Sequence, residues 1–225
     1  MLQETEVMEP SSIANGRANV YRLLSALYLK EVSRELLKTL KSEEVSEILF
    51  DLGIDISKTL PDILEERLLD ELASEYAALF IVPGGIPPYE SVRLHGKLCQ
   101  GPEWQVRNFY ERCGLKIKDD SGVFSDHLGM ELALMALLAD FESRAWKDCD
   151  QKKALELIDL QRQFFVEHLD KWAFGFLEDM QKYALHPFYI EVSKLTRNYL
   201  GIEREELLPP SSEKVSMTLE TSQSM

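Results

Sequence analysis

Two side chains able to do chemistry, His127 and Glu131, stand four residues apart. On a helix that spacing puts both on one face. An imidazole and a carboxylate so placed could begin a metal site. Such a site needs three or four ligands, however, and His95, His168 and His186 show no ligand spacing to one another. The pair could also be a plain hydrogen bond, because Glu131 interrupts an apolar run and needs a partner if buried. Asp126, one residue before His127, can cap a helix N-terminus, where free N–H groups and the helix dipole favour a carboxylate. The same fixed charge could meet a guanidinium. The chain has no G-x-S-x-G, no phosphate loop and no G-x-G-x-x-G. Catalysis has no positive support, and neither a cofactor nor a metal is expected. A metal-dependent helical enzyme using His127 and Glu131 stands as the alternative.

A second stretch has the chemistry of recognition. Pro83-Gly84-Gly85-Ile86-Pro87-Pro88-Tyr89-Glu90-Ser91-Val92 holds three of the nine prolines and two of the eleven glycines. Prolines fix φ, remove backbone donors and push the preceding residue to extended geometry, so this stretch is read as a non-helical loop. It is either a hinge or an extended, aromatic-tipped surface for a peptide. The apolar pair Leu79 and Phe80, next to Pro88 and Tyr89, could line a groove or fill the core.

Those residues must be positioned by helices. Leucine outnumbers valine and isoleucine combined in the 225 residues, a composition that favours helix over strand. Val20, Leu23, Leu24 and Leu27 mark a first helix over 14–30. Short helices follow from Ser33 and from Ser42, the latter ending at Gly53. Asp62–Phe80 is amphipathic, with Leu64, Leu68, Leu72, Tyr76, Leu79 and Phe80 on its inner side. Pro102 opens a helix that Gly114 closes. The next helix, about 126–147 and capped by Ser125 or Asp126, is apolar nearly all round at its start and should be the central buried one. Helices over 150–167, around Trp172, Phe176 and Met180, and from Pro187 to a stop at Gly201 complete the chain. The expectation is an all-α, single globular bundle over 13–205, with flexible tails at 1–12 and 206–225.

The net charge of −14 argues against nucleic acid and suits a basic partner or simple solubility. Three cysteines without C-x-x-C spacing make neither a disulfide framework nor a zinc site, which fits the cytoplasm. The acidic start resembles no secretory signal, and the longest apolar run, Leu132–Ala139, is too short to span a bilayer.

Three blocks together resemble the TorD/DmsD family of redox enzyme maturation chaperones. They are Glu75-Tyr76-x-x-Leu79-Phe80 with Pro83-Gly84 and Pro87–Val92; Ser125-Asp126-His127-Leu128-Gly129-Met130-Glu131-Leu132; and Phe165-x-x-His168-Leu169-x-x-Trp172-x-x-x-Phe176 with Phe188-Tyr189. The resemblance implies an all-helical cytoplasmic chaperone. It would bind the twin-arginine signal peptide or apo catalytic subunit of a molybdenum-containing oxidoreductase until cofactor insertion is complete. The peptide-binding residues it implies are Leu79, Phe80, Pro88, Tyr89, Ser91, Asp126 and His127, with Glu131, Glu90, His168 and Trp172 in support. A monomer or a domain-swapped dimer is compatible, and no nucleotide site is expected. Two positions depart from the family pattern. Ser125 replaces a proline, and Arg93 stands where an aromatic is usual. A cation at Arg93 would oppose a twin-arginine ligand unless it points away or pairs with Glu90. That departure brings in a nitrate-reductase-type chaperone whose client is not exported.

Overall fold

The computed structural model describes residues 9–54, 59–60, 64–117 and 122–208. Its elements are α1 (Pro10–Leu29), α2 (Arg34–Leu40), α3 (Glu43–Asp51), α4 (Glu65–Phe80), α5 (Glu90–His95), α6 (Gly101–Arg112), α7 (Leu128–Lys147), α8 (Gln151–Phe164), a π-helical turn (Phe165–Leu169), α9 (Asp170–Tyr183) and α10 (Pro187–Leu207). The protein is all-α. Among the described residues there is no strand, only an isolated antiparallel bridge between Tyr89 and His127. No helix among them is long and apolar enough to cross a membrane.

Local chemistry sets most boundaries. The Ser33 hydroxyl accepts from the Leu36 N–H at 3.2 Å and the Ser42 hydroxyl from the Val45 N–H at 3.4 Å, capping α2 and α3. Prolines sit in the first turns of α1, α6 and α10, where a missing N–H costs nothing. The expected start of α4 at Asp62 lies outside the described residues, as do the outer parts of both expected tails. Helix α1 already begins at Pro10 and α10 reaches Leu207, so the helical body overruns 13–205 slightly at both ends.

The central helix is α7, with α1 packed along one side and α8 along another. Gly129 permits the closest approach. A Cβ there would lie 2.6 Å from the Leu29 Cγ, and the Ser25 hydroxyl donates to the Gly129 carbonyl at 2.7 Å. A buried polar knot ties four helices together. The Arg17 guanidinium of α1 reaches Glu203 of α10 at 2.7 Å, Glu142 of α7 at 3.0 Å and Gln161 of α8 at 2.8 Å. Tyr21 also donates to Glu203, at 2.9 Å.

Three expectations change. Leu64 is 81% exposed rather than inward, because α4 starts after it and its backbone is extended. The last helix does not stop at Gly201. It continues because Glu203 and Leu207 are buried in tertiary contacts, which outweigh the weak preference of one glycine. The stretch 83–92 is not loop throughout, since α5 begins at Glu90, one residue after the paired prolines, with Tyr89 as its cap residue.

Candidate functional site

The three blocks meet where the connection 81–89, α5, the start of α7, the π-helical turn and α9 converge. Pro87 and Pro88 hold the chain extended into Tyr89 (φ −124°, ψ 132°). The chain then pairs with the segment before α7. The Glu90 N–H donates to the Asp126 carbonyl at 3.0 Å and the Leu128 N–H donates to the Pro88 carbonyl at 2.9 Å.

Asp126 does not cap α7. Its Oδ2 accepts from the Ser91 N–H at 2.8 Å, so the carboxylate serves the first turn of α5. Burial pushes its pKa up, against the hydrogen bonds from Ser91. The cap of α7 is His127, whose Nδ1 accepts from the Gly129 N–H at 3.0 Å. With Nδ1 accepting, the neutral ring carries its proton on Nε2. Burial lowers the His127 pKa to about 4. The Ser125 hydroxyl donates to the Glu103 carbonyl of α6 at 2.7 Å.

Among the described residues His127 and Glu131 form no side-chain hydrogen bond with each other, and His127 is not in the ligand-capable group that includes Glu131. The His127 carbonyl accepts from the Glu131 N–H at 3.0 Å, but the extended backbone of a cap residue (φ −74°, ψ 135°) takes its side chain out of the helical i, i+4 alignment with Glu131. Glu131 turns instead to Trp172, whose Nε1–H donates to Oε2 at 3.0 Å. His168 Nδ1 lies 2.7 Å from Glu90 Oε2. Ligand-capable atoms of Glu90, Glu131 and His168 lie within 4.8 Å of one another, all buried. Burial, then the nearby charge of Glu90, raises the Glu131 pKa well above the carboxylate range.

Arg93 points away from the bridge. Its guanidinium pairs with Asp179 Oδ2 of α9 at 2.5 Å, not with Glu90. It also crosses Gly175, where a Cβ would lie 2.9 Å from Nη2. Hydrogen bonds from Arg93, then Lys182, hold the Asp179 pKa low.

Leu79 and Phe80 face the core. The Phe80 ring packs against Tyr28, Tyr76, Phe176 and Tyr189, with centroids 5.1 to 6.2 Å away. Pro88, Ser91, Asp126 and His127 are buried as well, and only Tyr89 is partly open. Its ring meets His127 edge-on at 4.9 Å and Phe124 at 6.1 Å. Among the apolar side chains that face solvent here or on the adjoining α5–α6 segment are Phe124, Leu94, Leu98 and Trp104. Sequence reading passed over all four. Trp104 left one signal, since it falls off the Val106, Phe109, Tyr110 stripe of α6 and is 62% exposed. A cavity of about 470 Å³ between α5, α6 and α9 is lined by Glu90, Leu94, His95, Gln100, Pro102 and Lys171. Buried carboxyls linked to an imidazole and an indole, below a partly open aromatic, suit reversible binding rather than bond making.

The sequence profile of the nitrate reductase delta subunit family matches residues 32–178. Curated relatives carry the name Chaperone protein TorD. The one from Shewanella pealeana is 26% identical over 223 residues, covering 90% of this chain and 95% of the relative. That from Shewanella sp. (strain MR-4) is 27% identical over 218 residues, covering 89% and 98%. That from Shewanella oneidensis is 26% identical over 230 residues, covering 94% and 100%. Matched by that profile over more than half its length, the chain belongs to the nitrate reductase delta subunit family, the TorD/DmsD group that its three sequence blocks resemble.

Proposed function

We propose that this protein is a maturation chaperone, not an enzyme, which holds the apo catalytic subunit of a molybdenum-containing oxidoreductase during cofactor insertion. The observation that carries the reading is the convergence of all three blocks on one junction. Tyr89 and His127 pair across it, while Glu90–His168 and Glu131–Trp172 lock it from beneath. The TorD names of relatives along nearly the whole chain support the client class.

In its finer form the ligand is the client's twin-arginine signal peptide, met in the cytoplasm. Tyr89 then supplies the contact face. Leu79, Phe80, Pro88, Ser91, Asp126 and His127 act by holding that face in place, since their side chains are buried. The net charge of −14 draws a basic segment in from a distance, and the Arg93–Asp179 pairing keeps that cation from opposing it. Release follows when the client folds around its cofactor and withdraws the segment. Co-purification with the apo catalytic subunit of a molybdenum-containing oxidoreductase from the same organism tests the broad reading. Capture of the subunit only when its signal peptide is present supports the finer form. Equal capture without the peptide favours a nitrate-reductase-type client that is not exported, the alternative to which the family description points. No capture of either form contradicts both.

A further inference from the structure

Glu131 is a buried carboxyl that no cation neutralises. Its Oε2 accepts from Trp172 of α9, whereas Oε1 is buried with no hydrogen-bond donor. The titratable groups around it are Glu90 of α5, His168 of the π-helical turn, Tyr110 of α6, and Asp126 and His127 ahead of α7. His168 is engaged with Glu90. The Tyr110 hydroxyl donates to the Met130 carbonyl at 2.6 Å. Burial keeps His127 neutral. No lysine or arginine among the described residues forms an ion pair with Glu131 or Glu90. Burial, then the nearby charge of Glu90, favours the protonated form of Glu131. A proton on Glu131 supplies a donor beside Glu90, since carboxylate oxygens of the two lie within 4.8 Å of one another.

Glu90 belongs to a particular piece of chain. Residues 81–95 form a strap from the end of α4, across the start of α7, to the end of α5. At one end the Ile86 N–H donates to the Leu79 carbonyl at 2.6 Å. At the middle it is held by the Tyr89–His127 bridge and by Ser91 on Asp126. Glu90 opens a helix of only six residues, while Glu131 sits inside one of twenty. If the two carboxylates repel, the strap is the side that yields.

We propose that one proton shared between Glu131 and Glu90 latches the 81–95 strap onto the central helix, and that loss of this proton frees the strap. The proton leaves to water through the cavity beside Glu90. Folded Glu131 keeps its proton at a pH where the unfolded chain has lost it. The latch is therefore complete below the ordinary glutamic acid value of 4.5 and weakens as pH rises through the folded value. Because the strap carries Tyr89, its release would reshape the proposed client surface. Only that consequence rests on the chaperone reading, and the latch is tested without a client.

The test is hydrogen exchange of the full chain between about pH 6 and 9, corrected for the intrinsic pH dependence of exchange. Peptides covering 86–95 are compared with those covering α1 and α7. In the unsubstituted protein the strap should lose protection at least about tenfold more than the reference helices. Glu131→Gln, whose amide N–H replaces the shared proton, should remove that difference, and Glu90→Gln should do the same by abolishing the repulsion. Infrared spectra at neutral pH should show a carboxylic-acid C=O band that Glu131→Gln eliminates. Equal pH dependence in strap and reference helices, an unaltered slope in both variants, or a spectrum without that band would overturn the latch. An intact latch in a protein that captures no client would instead sink the chaperone reading alone.

Discussion

His127 shows how one residue's position decides its chemistry. As the cap of α7 it offers Nδ1 to the Gly129 N–H, and burial holds it neutral with a pKa lowered to about 4. The unfolded imidazole protonates near 6.5, so this contribution to stability is full above that value and is lost as pH falls through 4. His127→Asn, which keeps a capping acceptor and removes the titration, should flatten the acid side of the stability profile in denaturant titrations. His127→Ala should cost about 1 kcal/mol more than His127→Asn, the worth of the cap. Trp172→Phe removes the only donor to the Glu131 side chain among the described residues and should cost about 1–3 kcal/mol by the same measurement. Equal stability of His127→Ala and His127→Asn would dismiss the cap. At this scale the sequence singled out residues that the fold gathers at one junction and was misleading about their pairings. Asp126, His127 and Glu131 could each be singled out from residue type and spacing. That Asp126 serves α5, and that Glu131 reaches Trp172 forty-one residues away, depends on tertiary contacts that local spacing does not encode.

At the scale of elements, the helices and their caps were mostly readable because serine caps, first-turn prolines and apolar stripes are local signals. The exceptions share a cause. Helix α10 runs through Gly201 because Glu203 must meet Arg17, and α5 forms one residue after two prolines because the Asp126 carboxylate satisfies its first turn. Both were decided by partners far along the chain. Close approach makes the sharpest prediction here. Gly129→Ala would drive a methyl into Leu29, so α1 and α7 must separate, at a cost of about 1–3 kcal/mol. Gly85→Ala would collide with the Leu79 and Ala78 carbonyls and should displace the strap from α4. Chemical denaturation measures the first, and exchange of the Ile86 amide, which donates to Leu79, reports the second. Unchanged stability in Gly129→Ala would mean that the helices already have room.

For the whole molecule, the four-helix knot around Arg17 is the main polar tie between chain ends, joining α1 to α10 across α7 and α8. Arg17→Met should leave the Glu203 and Glu142 carboxylates buried without their cation and cost about 3–5 kcal/mol in equilibrium unfolding. A loss under about 1 kcal/mol would show that water or rearrangement replaces the guanidinium. Titration calorimetry with the twin-arginine signal peptide of a molybdenum-containing oxidoreductase from the same organism tests the proposed client recognition most directly. Saturable binding at or below tens of micromolar, weakened by salt and by Tyr89→Ala, is the result expected of a transient acidic chaperone. No heat of binding to the peptide at that concentration, together with none to the apo catalytic subunit, would contradict it.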